Sequence, residues 1–161
     1  IYPDCPATTR EVQVGGLTKM EVIQEFKRQS ISMNVIGEKL FADQRLALSE
    51  VRYKLSTVEL SIRTLGLPDC ATSAQLYARA DDIGVGICPL ELGPFMRVRF
   101  TDQSDGRRIT LSSEKISPGA DVPAGFYLQR RREGLWLRGY TATDDYVWDA
   151  EEHFVFVLPG R

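Results

Sequence analysis

An α+β domain, with short N-terminal helices packed on a mostly antiparallel sheet or partly closed barrel, is the fold this 161-residue sequence predicts. Three observations carry it. Thr18 with Glu21, and Thr72 with Gln75, each form a capping box ahead of a segment with helical apolar spacing. Past the stretch GVGICPLELGPFMRVRF, residues 84–100, the pattern changes to short alternating runs separated by turn residues. A hydrophobic content of 43% over this length is enough to bury one core, so residues 18–161 read as one domain and residues 1–17 as an extension.

Within the extension, EVQV at residues 11–14 can add an edge strand. A native start near Met20 and a processed N-terminus both stay open. The first helix is fixed by its capping box and by a Leu17–Val22 staple, with Val22, Ile23 and Phe26 on its apolar face. Met33, Ile36 and Leu40 mark a second short helix reaching about Phe41. Its Gly37 and single cation, Lys39, argue against a groove-reading helix-turn-helix.

Val58, Leu60 and Ile62 alternate with Glu59, Ser61 and Arg63, the pattern of a half-buried strand. LGLPD turns the chain into a third helix from about Ser73 to Ile83, closed by Gly84 in the left-handed conformation. Pro89 and Pro94 then predict a rigid non-helical corner, with Glu91 as a surface-loop acid. Met96, Val98 and Phe100 alternate with Arg97 and Arg99 as a strand would. Ile109 and Leu111 mark the next strand, residues 126–131 and 135–140 flank a hairpin turn at REG, and residues 154–158 form the last strand.

The balance of charge excludes several function classes. A net charge of −2, with neither half biased, gives no pull toward nucleic acid or membrane. No apolar run approaches the ~20 residues of a membrane span. Cys5, Cys70 and Cys88 lie far apart with no Cys-x-x-Cys pair, which argues against a zinc knuckle and a disulfide framework and for a reducing, cytoplasmic setting. No phosphate loop, His-x-x-His spacing or calcium loop appears, so no cofactor or metal is expected.

The segment RADDIGVGICPLELGPFMRVRFTDQ, preceded by ELSIRTLGLPDCAT and followed by GLWLRGY and FVFVLP, resembles a group of small uncharacterised bacterial proteins of unknown function. The shared pattern is a Cys-Pro-x-Glu-x-Gly-Pro corner followed by an Arg-bearing strand. The resemblance implies a bacterial origin and a single domain, and it brings no activity with it.

Candidate site residues therefore come from residue chemistry. His153, the single histidine, is the base any Ser-His or Cys-His scheme must use, although a lone histidine at a strand start is more often a rim residue. Glu91, Asp144, Asp145 and Asp149 could supply acid-base chemistry, but no spacing selects a pair. Pleat alternation places Arg97, Arg99, Trp136, Arg138 and Tyr140 on one sheet face, where arginine and aromatic side chains can pair with and stack on anionic or planar groups. The bland alternative is cross-strand packing on a solvated face. Tyr146 and Trp148, among the acids of residues 141–152, suggest a binding rim.

The reading that follows is a non-enzymatic binding or interaction module for an undefined small-molecule or protein partner. The alternatives are a hydrolase-like enzyme using a carboxylate near Glu91 and, less favoured, a weak nucleic-acid binder through the arginine–aromatic face. Homo-oligomerisation stays open.

Overall fold

The structure, a computed structural model, describes residues 1–67, 69–119 and 121–160. Its strands are β1 (Thr8–Val14), β2 (Ser32–Met33), β3 (Tyr53–Ser61), β4 (Cys70–Thr72), β5 (Arg108–Leu111), β6 (Gly125–Arg131), β7 (Gly134–Tyr140), β8 (Val147–Asp149) and β9 (His153–Val157). Its helices are α1 (Lys19–Gln29), α2 (Val35–Ala42), α3 (Ser73–Ile83) and α4 (Leu92–Arg99). Seven strands form one curled sheet in the order β1-β3-β9-β5-β6-β7-β2, and β4 pairs with β8 in a small second sheet. Neighbours in the large sheet are antiparallel except for β5 with β9 and β2 with β7. The α+β class and the partly closed, mostly antiparallel sheet are thus as the sequence predicts. No helix among the described residues is long and apolar enough to cross a membrane.

Both predicted capping boxes form. Thr18 accepts from the Glu21 amide while Glu21 accepts from the Thr18 amide, and Thr72 and Gln75 repeat the exchange at α3. Each box satisfies two N-terminal donors that have no helical partner. Gly84 closes α3 at φ 83°, the left-handed geometry expected of it. The predicted EVQV strand is the edge strand β1.

The sheet separates two cores. On one face Val22, Phe26, Leu40, Phe95 and Met96 pack against Val12, Ile109, Leu128, Leu137 and Val155. On the other, Leu76 and Ala80 pack against Val58, Leu60, Trp148, Phe154 and Phe156. The helices do not share one face: α3 covers the face opposite α1, α2 and α4. Its amphipathic stripe shows that α3 buries a side, and cannot show which side of the sheet receives it.

Three expectations are corrected. First, β3 is not half-buried along its second part, residues 57–61, although residues 53–56 alternate. Thr57, Glu59 and Ser61 are buried along with Val58 and Leu60, because helices and loops cover both faces there. Second, residues 96–100 do not form a strand. α4 occupies Leu92–Arg99 and is buried from Leu92 through Val98, so it carries no polar face to give a helical period. Pro94 is tolerated because it lies in the first turn, where its missing N–H has no helical acceptor. Only the preceding residues behave as the expected extended corner, with bridges Gly86–Val157 and Cys88–Ser113. Third, Glu91 is not a surface acid. It is 8% exposed and accepts from the Ser49 amide (2.9 Å), the Ser49 hydroxyl (2.6 Å) and the Tyr53 hydroxyl (2.9 Å). These donors cancel the cost of burying its charge and tie the start of α4 to the segment leading into β3.

Candidate ligand-binding cleft

The hairpin of β6 and β7 builds the candidate site. Its register pairs Tyr127 with Arg138 and Gln129 with Trp136. Leu135 and Leu137 pack into the first core, so pleat alternation sends Trp136, Arg138 and Tyr140 to the other face, as the sequence reading expected for this strand. Tyr127 joins them from β6. α2 is anchored immediately behind: Asn34 caps it by accepting from the Gly37 amide (2.8 Å), accepts from the Gly139 amide (2.8 Å) and donates to the Gly139 carbonyl (3.0 Å). A Cβ on Gly139 would lie 2.6 Å from the Gly37 nitrogen, so the two backbones touch only because neither residue has a side chain.

The result is a cleft of about 290 Å³ lined by Asn34, Ile36, Arg108, Thr110, Tyr127, Arg138–Thr141 of the β7 end, Tyr146 and Trp148. Trp148 is its fixed point. Tyr140 (5.7 Å), Tyr146 (4.7 Å) and Phe154 (5.1 Å) meet its ring edge-on, and its indole N–H donates to the Ser73 hydroxyl at 2.9 Å. Tyr146, 49% exposed, is the accessible ring at the mouth. Burial pushes the Tyr140 phenol well above its ordinary pKa, so it stays a neutral donor.

The cleft holds two arginines in different electrostatic states. Arg108 is neutralised by Glu152 at 2.6 Å. Arg138 donates through Nε to the Tyr127 hydroxyl at 2.7 Å, and its guanidinium carbon stands 5.0 Å from the Trp136 ring centre and 5.8 Å from that of Tyr127. Among the described residues no carboxylate lies within ion-pair distance of Arg138, and neither terminal nitrogen has a protein partner. The plane is therefore held by its root while its two-pronged end is free, the arrangement that suits bidentate capture of a carboxylate or phosphate.

The other predicted site residues scatter. Arg97 does not share the face of Arg138. It lies on α4, is 0% exposed, and donates to the Gln103 side-chain oxygen (2.7 Å), the Trp136 carbonyl (3.2 Å) and the Phe100 carbonyl. Burial, with the nearby charge of Arg130, pulls its pKa down to about 10, and it stays charged at neutral pH. Arg99, the last residue of α4, is likewise absent from the cleft. The five-membered face drawn from strand alternation is thus reduced to Trp136, Arg138 and Tyr140, because a helix stands where a strand was expected. Tyr146 and Trp148, read separately as a rim, instead join Arg138 and Tyr140 in one cleft.

Glu91 is buried, and its oxygens are taken up by Ser49 and Tyr53. His153 is a rim residue, on a shallow groove with Asp105, Arg107, Arg108, Asp149, Glu151 and Glu152. Its Nδ1 lies 2.7 Å from Glu59, which also accepts from Arg10 at 2.9 Å. Burial alone would raise the Glu59 pKa, but the hydrogen bonds from His153 and Arg10 outweigh it and hold the carboxyl below its ordinary value. This cluster joins β1, β3 and β9, with the Arg10 guanidinium stacked 4.0 Å from the Phe100 ring centre. Among the described residues no serine or cysteine lines the groove, and the hydroxyl of Ser61, the register partner of His153, is hydrogen-bonded to Thr64. Among the described residues no group of three or more metal-ligating side chains converges.

Sequence reasoning missed Tyr127, Arg108 and Asn34. Tyr127 is hidden by the turn: counting across a three-residue REG turn pairs Arg138 with Leu128, whereas the loop is the two residues 132 and 133 and the register shifts to Tyr127. Asn34 had no signal, since its role depends on the contact between Gly37 and Gly139. Comparison with known proteins finds no match: no family model, no curated protein and no solved structure is similar to this chain.

Proposed function

We propose that this protein is a recognition module whose cleft between β7 and β8 takes a ligand bearing one flat ring and one anionic group. The observation that carries the reading is Arg138, a cation held by Tyr127 over Trp136, free of any acidic partner among the described residues and facing an aromatic-lined cleft. A volume of about 290 Å³ is at the small end for ligand pockets and suits a single substituted ring. Aromatic walls provide contact area at low entropic cost and the guanidinium fixes orientation. The hydrogen-bonded closure of Glu91, and the engagement of the His153 ring with Glu59, favour binding over turnover as the role of this chain.

Titration with phenylacetate, followed by tryptophan fluorescence, tests the reading. Phenylethanol, which keeps the ring and loses the charge, should bind at least tenfold more weakly. Arg138→Ala should abolish that preference while leaving the urea midpoint unchanged. Equal affinity for the two probes, or an unaltered preference in Arg138→Ala, would refute it.

A further inference from the structure

Tyr140 belongs to two clefts. Beyond the Arg138 cleft, its ring also walls a second one of about 250 Å³, lined by Ser73, Tyr77, Ser113, Glu114, Lys115, Ala124, Ala142, Thr143 and Asp144. The segment from Thr141 to Tyr146 serves both: Thr141 and Tyr146 line the first, while Ala142, Thr143 and Asp144 line the second. We propose, resting on the reading above, that the natural ligand spans both clefts, presenting a ring with an anionic group to Arg138 and a cationic group, of ammonium type, to the second cleft. It is thus a bipolar ligand of about dipeptide size.

The chemistry of the second cleft is the complement of the first. Its acids Glu114 and Asp144 are exposed, and among the described residues neither has a cation within ion-pair distance. Its one cation, Lys115, donates to the Gly119 carbonyl at 2.7 Å and offsets one of the two acids, leaving the cleft with an excess of one carboxylate. Deeper in, the Ser113 hydroxyl has only one long contact, 3.5 Å to the Ala124 carbonyl, and Ser113 is 5% exposed. The Tyr77 hydroxyl is engaged by Tyr140, so Ser113 is the hydroxyl that keeps acceptor capacity for a donor such as an ammonium group. One cleft thus offers a free guanidinium and the next offers an excess carboxylate and a hydroxyl oxygen, with one tyrosine ring between them. Complementary potentials of this kind select orientation and partner more than they add raw affinity.

The test uses three probes on the intact chain: phenylacetate, the dipeptide lysylphenylalanine, and N-acetylnorleucylphenylalanine, which matches the dipeptide in length and lacks its cations. The dipeptide should bind roughly fivefold or more tighter than its cation-free analogue, the scale of accessible ion pairs. The double substitution Glu114→Gln, Asp144→Asn should erase that gain and leave phenylacetate affinity unchanged, whereas Arg138→Ala should weaken all three. Equal affinity of the dipeptide and its cation-free analogue would overturn the two-cleft ligand while the Arg138 reading stands. Failure of all three probes to bind would overturn both.

Discussion

Arg97→Met offers a quantitative test of how the hairpin beneath the cleft is held. Arg97 is wholly buried and reaches from α4 to the Trp136 carbonyl on β7, the Gln103 side chain and the Phe100 carbonyl. Methionine fills similar apolar volume and removes these three donations together with a long one, 3.5 Å, to the Gln129 carbonyl. Each hydrogen bond from a charged donor contributes ~1.5–3 kcal/mol net, so the gross loss is roughly 5–9 kcal/mol. Some of that is returned, because burying a guanidinium without an acidic partner is itself costly. Burial first, and then the nearby charge of Arg130, pull its pKa down to about 10, a penalty of roughly 3 kcal/mol on the charged form. The expected net destabilisation is therefore ~2–6 kcal/mol, a large share of the ~5–15 kcal/mol that holds a typical domain. In urea, followed by tryptophan fluorescence, this is a midpoint drop on the order of 1–3 M. Arg97→Lys should recover less than half of it, since an ammonium cannot reproduce a planar fork that reaches three acceptors. A methionine variant within ~1 kcal/mol of the parent, or a lysine variant equal to it, would refute this account of the network.

Two other predictions concern buried groups. Glu59, whose pKa is depressed in the folded chain, contributes stability that is present above its unfolded value and lost as pH falls through the folded one. Glu59→Gln should cost about 2 kcal/mol at pH 7, with the gap to the parent closing below about pH 4.5 in urea titrations; a gap independent of pH would contradict the ion-cluster assignment. Cys88 is buried, its thiol contacts the Val155 carbonyl at 3.3 Å, and burial raises its pKa, whereas Cys70 is exposed. Iodoacetamide should label Cys70 in the native protein and Cys88 only in denaturant, and rapid native labelling of Cys88 would show that the second half of the first core opens readily.

What the sequence made legible was whatever is encoded locally. Both capping boxes sit within four residues of chain, and α1 and α3 follow from them. The β6–β7 hairpin likewise follows from its turn and alternation, and with it the shared face of Trp136, Arg138 and Tyr140. What stayed hidden depends on distant partners. α4 reads as a strand because its polar residue, Arg97, faces carbonyls supplied by Phe100 and β7 instead of water. Glu91 reads as a surface acid because its donors, Ser49 and Tyr53, lie about forty residues upstream. The strands β2, β4 and β8 span two or three residues each, too few to show alternation, and exist only through their pairing. The pairing of β8 with β4 is also what carries Trp148 and Tyr146 to Tyr140, so the convergence of two separately read regions into one cleft is a tertiary fact.

The most direct measurement of the central claim is amide chemical-shift mapping with phenylacetate. The account predicts saturable shifts confined to Asn34, Tyr127, residues 138–141 and residues 146–148, absent in Arg138→Ala. Shifts centred instead on the groove of Arg107, Glu152 and His153, or none that saturate, would contradict it.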